Sequence, residues 1–492
     1  MSFKGKICLV LFTLLLSLAT LALGTHDPDR KSPIERLREC SKRCESQHQQ
    51  QGQHLEACQR RCQDEYQREK ESYGDFGYIL SDEREREEQQ QKEENNPYVF
   101  EDRHFMTAMR TQHGRVRILQ RFTDRSKLLK GIDNFRVSTL EADPQTFIVP
   151  SHWDADAVMF VANGRGTVSF VRQDRRESFN VKQGDIFRVK AGTTTYLINR
   201  DNNEKLVLAK LLQPINTPGQ FEGFFGTGGE NPKSYFRAFS DEILEAAFNT
   251  RKDRLQRLFG QQKEGIIIKA SQEQIRSMSH QEEGTIWPFG GESKGTFNLY
   301  QQRPTHSNQY GQLYEVDSSH FRQLQDLDLA VSLANISQGA MTAPYYNSKA
   351  TKIMIVVEGE GYFEMACPHV SQEGRRQGSQ RAQRETSSGP SYQKVSSRLK
   401  RGTVVVVPAG HPLVAVASNN QNLQLLCFEV NYRDNEKFPL AGKRNVMKQL
   451  EREAKELAFG LPAREVEEVF DSQQEEFFFK GPRQQQKGRA NA

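Results

Sequence analysis

Between residues 146 and 214, and again between 328 and 430, apolar residues come in short runs broken by Gly, Asn and Pro. The first stretch reads TFIVPSHW, AVMFVANG, GTVSFVRQ, DIFRVKAG, TYLINRD and LVLAKLLQP; the second reads DLAVSLANI, KIMIVVEG, GYFEMACP, TVVVVPAG, LVAVASNN and LQLLCFEV. Runs rich in β-branched and aromatic residues, restarting about every 8–12 positions, predict many short strands and hence a sandwich or jelly-roll barrel. The two stretches also match each other. VANGRG (Val161 to Gly166) aligns with VVEGEG (Val356 to Gly361), and QGDIFRVKAGT (Gln183 to Thr193) aligns with RGTVVVVPAGH (Arg401 to His411). The separation from Gly164 to Gly184 is 20 residues and that from Gly359 to Gly402 is 43, a surplus that one polar insertion, Ser371 to Lys400, accounts for. A mainly β chain of two tandem barrels follows.

The period changes after each barrel. SDEILEAAFNTRKDRLQRLFG begins at a capping Ser240 and puts Ile243, Leu244, Ala247 and Phe248 on one helical stripe that ends by Gly260. NVMKQLEREAKELAFG and PAREVEEVF repeat the device near the C-terminus. Such a stripe docks either on its own barrel or, in a duplicated chain, on the next subunit of a closed ring.

The N-terminus has two lysines, an apolar run from Ile7 to Leu23 and small residues at Ala22 and Gly24. This is a secretory signal over residues 1–24, and no later run is long enough to span a bilayer, so no membrane association is expected after its removal. The mature chain therefore meets an oxidising lumen. With 68 basic against 63 acidic residues, a net charge of +5, there is no reason to expect nucleic acid as a partner. A hydrophobic fraction of 36% and a mean hydropathy of −0.74 imply long polar tracts beside the cores.

Four of the cysteines outside the signal form CSKRC (Cys40, Cys44) and CQRRC (Cys58, Cys62) within residues 33–70, a stretch of helix formers broken at Gly52. A C-x-x-x-C spacing places both thiols on one helix face. Antiparallel pairing of two such helices sets Cys40 opposite Cys62 and Cys44 opposite Cys58. Zinc is the competing reading, but metal knuckles use C-x-x-C loops and the compartment is oxidising, which favours disulfides. The two C-x-x-x-C units resemble the α-hairpinin family of plant defence peptides. Residues 71–95, including SDEREREEQQQKEENN, lack apolar periodicity and read as a linker; this tract and 371–400 are expected to be nicked by processing proteases.

The blocks NPYVFEDRHF (Asn96 to Phe105), RVRILQRFTDRSKLLKGIDNFRVSTLEADPQTFIVPSHWDAD (Arg115 to Asp156), FRAFSDEILEAAFN (Phe236 to Asn249), FNLYQQRPTHSNQYGQLYEV (Phe297 to Val316) and YYNSKATKI (Tyr345 to Ile353) resemble the vicilins, the 7S globulin seed storage proteins among the bicupins. The resemblance covers nearly everything from Asn96 to about Phe470. It implies a first cupin barrel with its helical arm at 96–260, a connection at 261–292, a second barrel with its arm at 293–470 and a flexible polar tail at 471–492. It also implies a homotrimer, the protein storage vacuole of seeds, a nutrient-reservoir role without enzymatic activity, and allergenicity. Some family members release N-terminal C-x-x-x-C hairpins as antimicrobial peptides, which leaves a defence or protease-inhibitor role for residues 33–70 as one alternative; a metal-dependent redox role for a cupin barrel is the other.

Cupin enzymes hold iron or manganese with an H-x-H pair, a Glu and a later His. Here His152 has Asp154 as its second partner, Val158 and Met159 stand where the Glu belongs, and Thr195 replaces the last His. In the second barrel the places hold Tyr346, Ser348 and Leu413. A different donor set remains in the second barrel: Cys367 and His369, two apart on a strand and so on one face, and His411 in the turn Pro408-Ala409-Gly410. A thiolate with two imidazoles is a soft set that suits copper, with zinc next. The vicilin resemblance implies copper there, with Tyr98 of the NPY arm as a cap. Two other readings stay open: a buried, inert Cys367, or a Cys367–Cys427 disulfide. The sequon Asn335-Ile336-Ser337 precedes Gly339, a turn location that would expose Asn335 to glycosylation.

Overall fold

The computed structural model describes residues 37, 39–44, 55, 57–65, 96–228, 231–279, 295–368 and 392–482. The signal segment, the 71–95 linker and His369 lie outside these residues. The chain divides into two compact units, 1–73 and 74–492. In the first, helical backbone at 39–44 and 57–65 is joined by Cys40–Cys62 and Cys44–Cys58 disulfides, so these sulfurs are bonded to one another and hold no zinc.

The second unit consists of two barrels, each made of two facing antiparallel sheets. In the first barrel, strands Arg136–Ala142, Ala155–Asn163, Asp185–Val189 and Leu206–Pro214 form the centre of one sheet, and Thr146–Trp153, Arg165–Val171, Arg176–Lys182 and Thr194–Asn199 belong to the other. In the second barrel, Leu329–Ile336, Thr351–Glu358, Val404–Val407 and Leu423–Val430 face Glu360–Cys367, Gln393–Lys400 and Leu413–Ala417. The repeat glycines recur for a steric reason. Gly164 and Gly359 have φ of 81° and 85°, and a Cβ at either would lie within 2.5 Å of the backbone oxygen of Lys205 or Asn422. Both turns therefore tolerate only glycine.

The barrels exchange their first strands. Val99–Phe100 pairs with Val404 and Val405 of the second barrel, while Phe297–Asn298 pairs with Asp185 and Ile186 of the first. Ile186 and Val404 are equivalent in the repeat, so the exchange is reciprocal. This corrects the 96–260 and 293–470 boundaries: Tyr98 to Phe100 complete the second barrel, and Phe297 and Asn298 complete the first. Arg188 also ties the halves, with its guanidinium on Asp156 at 3.0 Å and on the Gln323 carbonyl and Asp326 of the second half at 2.9 and 3.2 Å.

Three polar segments fold where sequence alone predicts connection, insertion or tail. Ile267–Lys269 of the 261–292 connection adds a strand beside Phe147 and Ile148, because Ile266 and Ile267 fill the first core. The 371–400 insertion ends at its last residues in a strand, Gln393–Lys400, which pairs along Glu360–Cys367 and buries Val395 and Leu399. The 471–492 tail contributes Phe478–Lys480, paired with Ala340–Thr342, and buries Phe477, Phe478 and Phe479. Each segment carries two or three apolar residues that pay back their ordering only on a preformed sheet edge.

Each barrel is followed by a pair of helices. The first arm is not one helix but two, Asp241–Phe248 and Lys252–Gly260, broken at Asn249 in the left-handed region with φ 45°. Ser240 caps the first by accepting from the Ile243 N–H. The second arm is Arg452–Phe459 and Ala463–Asp471. Among the described residues no helix is long and apolar enough to cross a membrane.

Candidate functional site

The exchanged strand brings Tyr98 to the second barrel. The Val406 N–H donates to the Tyr98 carbonyl, and the Tyr98 ring turns inward, fully buried. Its Oη lies 3.3 Å from Sγ of Cys367, the last residue of strand Glu360–Cys367, in a hydrogen bond. The ring of His411 lies 6.2 Å from the Tyr98 ring, centre to centre. His411 sits in a turn built on Gly410, whose φ is 75° and whose N–H donates to the Asn347 carbonyl.

Tyr98 thus converges, away from solvent, with two side chains that lie more than 260 residues further along the chain. Burial lowers the His411 pKa, but its hydrogen bonds to Cys367 and to the Ala409 carbonyl outweigh that and hold it above the usual imidazole value. His411 Nδ1 lies 3.0 Å from the Ala409 oxygen, which places its proton on Nδ1 and leaves Nε2 as the nitrogen suited to ligation. Cys367 and Cys427 are both free thiols in this structure, which removes the disulfide between them. A buried thiol, an imidazole and a phenol fit a soft metal ion.

The ancestral cupin positions do not fit a metal. His152 stacks on Phe224 at 5.0 Å, and the Asp154 carboxylate accepts from the Glu222 N–H at 2.6 Å. Thr195 donates to the Thr193 carbonyl, and Val158 and Met159 are core. In the second barrel Tyr346 stacks on Phe438, Ser348 accepts from the Glu436 N–H, and Leu413 is buried. These side chains serve packing and backbone capping.

A cupin family model matches residues 111–255 and 297–467, one segment per barrel. A vicilin of Juglans regia, Jug r 6.0101, is 55% identical over 504 aligned residues, spanning 99% of this chain and 98% of the relative. The chain belongs to the vicilin family. The crystal structure of vicilin from Corylus avellana superposes with a TM-score of 0.72 at 57% identity, covering 78% of this chain and all of that one. A Macadamia integrifolia protein named for vicilin-like antimicrobial peptides is 47% identical across 91% of this chain and 67% of its own length. As a vicilin, the chain is a 7S seed storage globulin of an oligomer-forming family.

Two features of this vicilin are not evident from its motifs. In the second barrel Lys352 and Glu429 form a buried ion pair at 2.9 Å, with side chains 4% and 1% exposed. The Glu429 carboxylate also accepts from Ser332 at 2.8 Å and Asn347 at 3.3 Å, and Lys437 approaches at 3.5 Å. Lys352 and Cys427 line a cavity of about 380 Å³ counting its open side. The first barrel encloses a larger one, about 670 Å³ counting its open mouth, lined by Lys210. A lysine in the middle of the apolar run LVLAKLLQP was the legible signal for Lys210. Lys352 stands at the start of its strand, where charge usually faces solvent.

Asn335 requires a correction. It lies within strand Leu329–Ile336, opposite Gln312 on one side and Gln424 on the other, not in the turn that follows. Its amide oxygen is buried. The apolar run continues through Ile336 and carries the strand past the sequon.

Proposed function

We propose that this vicilin is a homotrimer laid down in the protein storage vacuole of seeds and consumed as a nitrogen source, without catalytic turnover. The observation that carries the assembly is the exposure of large apolar side chains on both arms: Ile243, Phe248 and Leu258 on the first, Leu457, Phe459 and Val469 on the second. Equivalent sticky arms at the two ends of a duplicated chain suit a ring in which one arm meets the other arm of the next subunit. Proteases that mobilise it would enter through the 71–95 tract and the residues just before Gln393. Light scattering of the purified protein should give three times the mass of one chain; a monomer at micromolar concentration would refute the ring.

Within this storage role, the second barrel holds one copper ion. Cys367 and His411 are its ligands, with Tyr98 beside the thiol and His369 the expected fourth donor; zinc is the runner-up. Copper would supply a tightly held, soft-ligated centre shielded from solvent. Elemental analysis of protein purified without added metal is expected to find about one copper per chain. Cys367→Ser should lower this by tenfold or more and abolish any thiolate-to-copper absorption. Equal metal content in wild type, Cys367→Ser and His411→Ala would exclude the site.

The disulfide-linked hairpin and the Macadamia relative favour a second role for residues 33–70 as a released defence peptide. An oxidised synthetic 33–70 peptide is expected to slow fungal growth while the reduced one does not. Equal inactivity of both would leave the hairpin as stored protein.

A further inference from the structure

Lys210 has no part in storage or in the second-barrel site, yet it occupies the middle of a core strand, 3% exposed. Its Nζ lies 4.7 Å from the centre of the Trp153 ring. Among the described residues no carboxylate or hydrogen-bond acceptor reaches it, and burial alone lowers its pKa to about 7. The cavity it lines has apolar walls of Met109, Leu140, Ile148 and Leu197, and its only other titratable lining residue is Lys190. Lys190 is exposed, so the cavity reaches the surface there.

The second barrel supplies an internal comparison. Lys210 is opposite Met159 and Leu212 is opposite Ala157; at the equivalent places Cys427 is opposite Met354 and Glu429 is opposite Lys352. Each barrel thus buries a lysine on its central strands, Lys210 or Lys352, and of these two only Lys352 meets a carboxylate. Lys352 is a paired cation. Lys210 is an amine in an apolar pocket with an entrance, the environment that turns lysine into a nucleophile.

We propose that Lys210 is a covalent capture site for small apolar aldehydes, held as imines inside the first barrel. The Nζ lone pair adds to the carbonyl carbon, one N–H proton passes to the carbonyl oxygen to give a carbinolamine, and the second N–H proton leaves with that hydroxyl as water, which leaves a C=N bond. One aldehyde and one amine give one imine and one water, with no change of oxidation state. Ser151 lines the same cavity and accepts from Trp153 Nε1 at 3.3 Å, which directs its own hydroxyl proton away from the indole, where it can serve the carbonyl oxygen. The apolar walls take the alkyl chain.

The test is hexanal at low excess over the purified full-length protein at pH 7, reduction with borohydride, and peptide mass mapping. A lysine with a pKa of about 7 is roughly half neutral at that pH, against less than ~0.1% for an ordinary one. Allowing for its weaker basicity, Lys210 is expected to be alkylated on the order of a hundredfold faster than exposed Lys130. Lys352 in the same sample should stay unmodified, and Lys210→Met should remove the fast phase alone. Labelling of Lys210 no faster than that of Lys130 would overturn the proposal. So would acetate binding that depends on Lys210 without any hexanal adduct, which would make the cavity an anion site only.

Discussion

Leu258→Glu combined with Leu457→Glu is expected to convert the proposed trimer into single folded chains. Leu258 is 64% exposed and Leu457 is 87% exposed on the two arms, so neither substitution disturbs a barrel core. The arms keep their own packing: Leu244, Leu255 and Phe259 form a small cluster with Phe236 in the first, and Phe459 meets Phe470 edge-on in the second. Burying one leucine contributes about 1.5–3 kcal/mol. Two per interface amount to about 3–6 kcal/mol, a loosening of roughly 10²–10⁴-fold, before the cost of burying glutamates is added. Ring closure repeats the damage at every interface. Light scattering should report one chain mass with an unchanged far-UV circular dichroism spectrum. A trimer that persists would place the contact surface elsewhere on the molecule.

The arms also show what the sequence could and could not convey. Helical periodicity located Ile243, Leu244, Ala247 and Phe248, but one stripe does not say that Leu244 turns to its own arm while Ile243 and Phe248 stay exposed. The tandem barrels were readable because strand runs and turn glycines recur at matched spacing, and at Gly164 and Gly359 a Cβ would collide with backbone. The exchange of Val99–Phe100 and Phe297–Asn298 was not, since a two-residue strand has no period and its partner lies more than a hundred residues away. At the candidate centre, residue chemistry picked out Cys367, His369 and His411 and the family resemblance named Tyr98; the strand exchange is the physical reason Tyr98 lies beside Cys367. The triple phenylalanine Phe477 to Phe479 was a visible sign that the tail enters a core. Gln393–Lys400, with Val395 and Leu399 four apart among polar residues, offered no comparable sign.

The two enclosed lysines should respond to mutation with opposite signs. Glu429→Ala leaves Lys352 charged, buried and unpaired, and strands the Ser332 and Asn347 donors that the carboxylate now accepts. Removing one partner of such a pair costs about 3–5 kcal/mol. Glu429→Gln should cost less because its single amide oxygen still accepts from one of the two donors, Ser332 or Asn347, and the double change Lys352→Met/Glu429→Leu should recover most of the loss. Lys210→Met, in contrast, should stabilise the protein. The Lys210 pKa is depressed on folding, so its burial penalty is greatest below pH 7 and fades as pH rises toward the unfolded value. The gain on substitution is then on the order of 2–4 kcal/mol at neutral pH and near zero by about pH 10. Thermal midpoints of the four variants measured at pH 6, 8 and 10 separate these cases. Stabilisation by Lys210→Met that does not change with pH would mean the gain comes from filling the cavity and not from removing a buried charge.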